Sequence, residues 1–258
     1  VYLMSIISFA LIIVVSFIAG IEGILDEFQF HQPLVACTLI GLVTNHLPEG
    51  LILGGSLQMM ALGWANVGAS VAPDVTLASV ASSIFMVQGL NGSITGEYVI
   101  SASIAIAIPL SVIGLSLTKI CRTKAIGLVH KMDVASETAD FGKIERLQMA
   151  GICMQGLRVA IPAAILLVIP SHLYVVLFEA MPQWLLEGLS VGSGLIPALG
   201  FAIVINVLAS KKTWLFFALG FVLAALPNLT TIGLAVIGIS ITLIYMALDK
   251  EDYSEKES

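Results

Sequence analysis

Residues 23–33 read GILDEFQFHQP: two acids, two glutamines and a histidine wedged between two apolar runs. LMSIISFALIIVVSFIAG (3–20) precedes them, PLVACTLIGLV (33–43) follows, and neither run carries a charge. Inside hydrocarbon every polar group needs a partner, so such a cluster is either a water-exposed connection or the wall of a polar cavity. Phe28 and Phe30 alternate with the polar side chains, which gives the segment one wet and one apolar face. That suits an irregular stretch packed along a cavity.

The rest of the chain is as apolar as the flanks of this cluster. Of 258 residues 58% are hydrophobic and only 11% are charged, with a mean hydropathy of +1.03. Soluble domains carry about a quarter charged residues. Apolar stretches near the roughly 20 residues that cross a bilayer recur along the sequence. The fold class is therefore an all-α polytopic membrane protein. The first run lacks a basic n-region and a small-residue cleavage site, so it reads as a retained helix. Cys37, Cys121 and Cys153 are scattered among apolar neighbours and suggest neither a metal site nor a disulfide framework.

Charge distribution sets the topology. No Lys or Arg precedes Lys119, and six of the eleven basic residues fall within 119–146. The positive-inside rule places that segment, read as a loop, in the cytoplasm. A nucleic-acid stripe is not supported, because no aromatics interleave the basic residues. Spans are expected at 2–20, 98–118, 148–170 and 189–209, with a hairpin over 214–247 broken at Pro227-Asn228. The membrane domain then covers 1–248, and 249–258 form a short polar cytoplasmic tail.

Segment 23–88 behaves differently. PLVACTLIGLVTNHL is too short to span comfortably, and LILGGSLQMMALGWANVGASVAP is studded with Gly, Ser, Asn and Gln. Short, glycine-interrupted apolar pieces are the signature of broken or re-entrant helices lining transporter sites. EGLILGGSL (49–57) is echoed by EGLSVGSGL (187–195), which suggests a duplicated, inverted unit.

Glu27, Gln29 and His31 form the first set of site residues. Carboxylates and amides pair well with hydroxyls, each both donor and acceptor, so the set suits a sugar. Gln58, Trp64, Asn66, Ser70 and Asp74 form the second. Trp64 reads either as a stacking platform or as an interfacial anchor, and Ser70 either as a contact to hydroxyls or as helix packing. Arg158, deep in an apolar helix, needs a carboxylate, and Asp74 or a residue of another subunit would serve. GLSVG (188–192) matches a nucleophile elbow but lies in a membrane segment, and the motif needs a soluble strand–turn–helix. There is no Walker A motif, HExxH or CxxC; no metal or cofactor site is expected, and the chain does not hydrolyse nucleotides itself.

These residues also carry a resemblance. GILDEFQFHQPLVACTLIGL, GGSLQMMALGWANVG (54–68) and SVAPDVTLASV (70–80), with MQGLRVAIPA (154–163), closely resemble the membrane-channel subunit IIC of mannose-type sugar phosphotransferase systems. The likeness is greatest to mannose/glucose systems of Gram-positive bacteria and covers nearly the whole chain. It implies a cell-membrane permease that pairs with a second membrane subunit, IID, in an assembly of three IIC–IID pairs. It implies a mobile sugar-holding core moving against a static scaffold, and a soluble IIAB phosphocarrier that phosphorylates the incoming hexose at its 6-hydroxyl. No phosphohistidine is implied on this chain. Some relatives also serve as receptors for pediocin-like bacteriocins. Glu27, Gln29, His31, Gln58, Asn66 and Asp74 match the family's motifs. Many mannose-type relatives carry Glu where this chain has Gln58, and an amide binds hydroxyls but takes no proton. The competing reading is a proton- or sodium-coupled sugar transporter with Glu27 or Asp74 as coupling site.

Overall fold

A computed structural model describes residues 6–62, 73–92, 96–180 and 213–257, together with isolated residues between 182 and 210. The chain divides into two units, Val1–Phe201 and Ala202–Ser258. All regular structure among the described residues is helical.

In the first unit, α1 (Ile6–Leu25) buries Ile12, Ser16, Ala19, Gly20 and Glu22. These follow helical spacing and form one face, while the other side stays apolar and exposed, as a lipid-facing helix requires. That face packs on α6 (Phe141–Val168) through glycines. A methyl on Gly20 would lie 2.8 Å from the Gln155 carbonyl oxygen, and one on Gly156 2.5 Å from the Phe17 ring. Small residues at such crossings let helices approach closely where no hydrophobic effect drives them together.

Next, α2 (Pro33–Val43) and α3 (Leu47–Ala61) form a tight antiparallel hairpin. Each has proline in its first turn, where a missing N–H costs nothing. At 11 and 15 residues they are about 16 and 22 Å long, short of the ~30 Å hydrocarbon layer. A Ser8 hydroxyl bond to the Val43 carbonyl (3.1 Å) brings the end of α2 back to the start of α1. The connections 26–32 and 44–46 are the only breaks between residues 6 and 61.

The core is α4 (Val75–Asn91), buried on every side from Thr76 to Gly89. It lies among α1, α2, α3, α5 (Gly96–Glu137), α6 and α7 (Ser171–Ala180). Two of its hydroxyls are satisfied locally: Ser79 donates to the Val75 carbonyl (2.7 Å) and Ser83 to that of Ser79 (2.8 Å), while Ser82 Oγ is buried without a partner among the described residues. Near its other end, Phe85 meets Tyr174 edge-on at 4.9 Å, and the Ser171 hydroxyl bonds Gln88 at 2.6 Å.

The segment 119–146, read from its charge as a loop, is almost wholly helical. The 42 residues of α5 run unbroken to Glu137, about 63 Å. After a turn in which Ala139 has φ 53°, Asp140 caps α6 by accepting from the Lys143 N–H at 3.0 Å. Concentrated charge marks water, and an exposed helix tolerates charge as well as a loop does. Ala125, Leu128, Val129 and Met132 keep helical spacing through the basic stretch and, with Ile21, Ile24, Leu25 and α6, line a cavity of about 330 Å³.

In the second unit, α8 (Trp214–Ala224) and α9 (Thr231–Glu257) form the expected hairpin, with Asn228 at φ 74° in its turn. The 249–258 stretch, read as a tail, continues α9 to Glu257. The proposed span 189–209 and the second copy of the echo lie largely outside the described residues. Of the described helices, α1, Tyr98–Glu137 within α5 and α6 are long and apolar enough to cross a membrane.

Candidate functional site

The hairpin geometry returns the C-terminal end of α3 to the connection between α1 and α2, so residues 24 and 26 positions apart in sequence meet there. Gln58 Nε2 donates to Gln32 Oε1 at 2.9 Å, Gln32 Nε2 to Gln29 Oε1 at 3.0 Å, and Gln29 Nε2 to Asp26 Oδ1 at 2.8 Å. The Leu34 N–H donates to Gln58 Oε1 at 3.3 Å. Asp26 and Gln29 both adopt positive φ, 56° and 60°. Asparagine, aspartate and other short polar side chains tolerate that region best, and Gln29 is held in it by its two bonds to Asp26. Glu22, buried in the last turn of α1, accepts the Phe28 N–H at 2.7 Å and closes the loop.

His31 sits at the centre of this set. Its Nε2 lies 3.2 Å from Gln32 Nε2 and 3.6 Å from Asp26 Oδ1, while Nδ1 is buried with no partner among the described residues. Burial lowers the imidazole pKa from its ordinary 6.5, against the opposing pull of Asp26 and Glu22. The unfolded chain therefore binds this proton more readily than the folded one between the folded pKa and 6.5. Stability carried by neutral His31 is present above pH 6.5 and is lost as pH falls through that window. His31→Gln should flatten the acid limb of a melting-temperature-against-pH profile, and an unchanged limb would remove His31 as its source.

Glu27 is exposed, and no hydrogen bond or ion pair reaches it among the described residues. Trp64, Asn66 and Ser70 lie outside the described residues.

Asp74 and Arg158 form a separate centre. One Asp74 oxygen caps α4 by accepting from the Leu77 N–H (2.9 Å), and the other accepts from the Thr118 hydroxyl (2.7 Å) and from Arg158 Nη1. Arg158 Nη1 also bonds Thr118 Oγ1 at 2.6 Å. The side chains of Arg158 and Asp74 are 4% and 7% exposed. The carboxylate approaches α5 over Gly114, where a methyl would lie 2.6 Å from its Cβ. Glu22 and Thr118 complete the two centres without having been singled out from sequence, and Gln32 joins the first from within the polar cluster on which the sequence reading rests. Glu22 had a signal, a carboxylate one turn before Asp26 on an otherwise apolar helix; Thr118 had none.

Comparison with known proteins gives this geometry its family. The chain matches, over residues 6–244, the EII-Sor family, described as the sorbose-specific IIC component of the PTS system. It is 41% identical over 239 residues to the mannose-specific EIIC component of Escherichia coli K12, covering 92% of this chain and 87% of the relative. It is 38% identical to the sorbose-specific EIIC component of Klebsiella pneumoniae, covering 93% and 88%, and 37% identical to the fructose permease IIC component of Bacillus subtilis, covering 94% and 87%. Among solved structures, one described only as a membrane protein superposes with a TM-score of 0.84 at 39% identity, covering 95% of this chain and 97% of that one. The mannose transporter ManYZ in complex with microcin E492 matches with a TM-score of 0.59 at 40% identity, covering 93% and 94%. The chain belongs to the EII-Sor family of phosphotransferase-system IIC components and is a multi-pass membrane permease subunit.

Proposed function

We propose that this subunit imports mannose- or glucose-type hexoses, coupled to 6-phosphorylation by a soluble IIAB partner, and that residues 26–32 with Gln58 form one wall of the sugar site. The observation that carries the reading is the convergence of Asp26, Gln29, His31, Gln32 and Gln58 on one connection, with the Glu27 carboxylate exposed beside it. Amides and carboxylates in this number suit a ligand made of hydroxyls. Asn66 and Ser70, with Trp64 as a stacking surface, are proposed to complete the wall. Asp74 and Arg158 hold α4 in place beside it.

The likeness to a ManYZ complex supports a IID partner in the membrane, assembled as three IIC–IID pairs. Phosphoryl transfer depends on positioning and electrostatics, which a separate phosphocarrier would supply at the cytoplasmic face. The relatives are named for mannose, sorbose and fructose at 37–41% identity, so overall identity does not choose the sugar. A second role as a bacteriocin receptor is proposed from the solved ManYZ–microcin complex.

Membrane vesicles containing the complex should take up mannose only with phosphoenolpyruvate and the phosphocarriers, and should release sugar 6-phosphate inside. Gln29→Ala should lower that uptake at least about tenfold, the equivalent of one or two lost hydrogen bonds. Uptake that needs no phosphoenolpyruvate and collapses with an uncoupler would establish the ion-coupled alternative instead.

A further inference from the structure

The first half of the 26–32 connection is held by hydrogen bonds and not by packing. Every residue from Gly23 to Gln29 is exposed, the Phe28 side chain among them. Asp26 and Gln29 nevertheless keep positive φ, a conformation that a residue other than glycine holds only where its surroundings fix it. Glu22 supplies that hold twice. Its carbonyl accepts the Asp26 N–H at 2.9 Å, the single bond of a helix end whose next residue turns left-handed. Its carboxylate accepts the Phe28 N–H at 2.7 Å, which fixes the Glu27–Phe28 peptide midway between the two positive-φ residues. Glu22 itself is 6% exposed on the buried face of α1, one turn after Ala19. The clamp therefore stands on the packed part of the fold, while the segment it grips does not.

Resting on the reading of residues 26–32 as a sugar wall, we propose that Glu22 is a positioning residue for that wall. Its carboxylate does not meet the sugar. It sets the direction in which Glu27 and Gln29, the neighbours of Phe28 on either side, present their side chains. A carboxylate suits this task, because a backbone N–H bonds an ionised acceptor about twice as strongly as a neutral one. Gln29 and Asp26 bond each other, so without the clamp the turn they form moves as a unit, and the amide line through Gln32 to Gln58 shifts with it. A wall that recognises hydroxyls by geometry then loses affinity first. The phosphoryl step, carried by a separate protein, changes far less.

The test is the kinetics of D-mannose uptake by vesicles containing the complex, supplied with phosphoenolpyruvate and the phosphocarriers. Glu22→Ala should raise KM about tenfold, the loss of one hydrogen bond to a charged group, and lower the maximal rate per complex far less. Glu22→Gln keeps an acceptor in the same place and should restore most of the affinity. Glu22→Ala combined with Gln29→Ala should raise KM by less than the product of the two separate factors, because the clamp acts through Gln29. A lowered maximal rate at unchanged KM, a glutamine variant no better than alanine, or fully multiplicative factors would overturn the role. Should Glu22→Ala fail to assemble, hydrogen exchange on the wild-type complex decides. The Phe28 amide should be protected although its side chain is exposed, and exchange at the rate of an open chain would remove the clamp. Gln29→Ala separates this failure from a deeper one. If it raises KM while Glu22→Ala does not, the sugar wall stands without this clamp; if neither does, the wall itself is misplaced.

Discussion

Arg158→Ala should destabilise the protein by about 3–5 kcal/mol, the usual cost of stranding one member of a buried ion pair. With side chains 4% and 7% exposed, neither Arg158 nor Asp74 can turn to water when its partner is lost. The substitution leaves Asp74 with the Leu77 N–H and the Thr118 hydroxyl, enough to satisfy a neutral acceptor and too little for a buried charge. Asp74→Ala should cost at least as much, because α4 also loses its cap, worth about 1 kcal/mol. The double variant Arg158→Met with Asp74→Asn removes both charges and keeps a capping oxygen, so it should recover much of the loss. Melting of the purified complex, followed by size-exclusion chromatography, reads these differences. Additive losses in the double variant would show that the two residues act independently.

Gly50→Ala is the second large effect. The added methyl would lie 2.6 Å from the Cys37 carbonyl oxygen and 3.0 Å from Gly41 Cα, both backbone atoms that no rotamer change can move. The α2–α3 hairpin would have to part, at a cost of about 1–3 kcal/mol or more. Gly55→Ala is the matched control: nothing lies within 4 Å of its added methyl. A helix interior favours alanine over glycine by about 1 kcal/mol, so this variant should be neutral or slightly stabilising. Equal melting temperatures for Gly50→Ala and Gly55→Ala would mean that the hairpin is not closely packed at Gly41 and Gly50. Because Gln58 lies two turns beyond Gly50, the same parting should also weaken sugar binding in Gly50→Ala.

Much of this architecture was legible because membrane helices leave a crude record. Twenty apolar residues ending in a polar cluster define α1 and its break, and Pro33, Pro48 and the glycines mark the short hairpin. The break at Pro227-Asn228 was equally plain. The α5–α6 extension was missed because charge was read as loop while the apolar spacing at Ala125, Leu128, Val129 and Met132 continued through it. At the site, types were readable and pairings were not. Gln32 and Gln58 stand 26 positions apart, and their contact depends on two successive chain reversals. Thr118 was invisible for a related reason: a threonine in an apolar helix usually bonds its own backbone, and Thr118 does so while also meeting Asp74.

The amides at the site also share one direction. The Leu34 N–H, which can only give, stands at one end, and the Asp26 carboxylate, which only accepts when ionised, stands at the other. Gln58, Gln32 and Gln29 between them must all point the same way, so none can flip alone without setting two like groups against each other. A hydroxyl gives one proton and takes one, so it can be spliced into such a one-way line as an added link. An ammonium gives three and takes none, and at any link it would leave the preceding N–H without an acceptor. The line therefore runs one way, and Asp26 sets its sense.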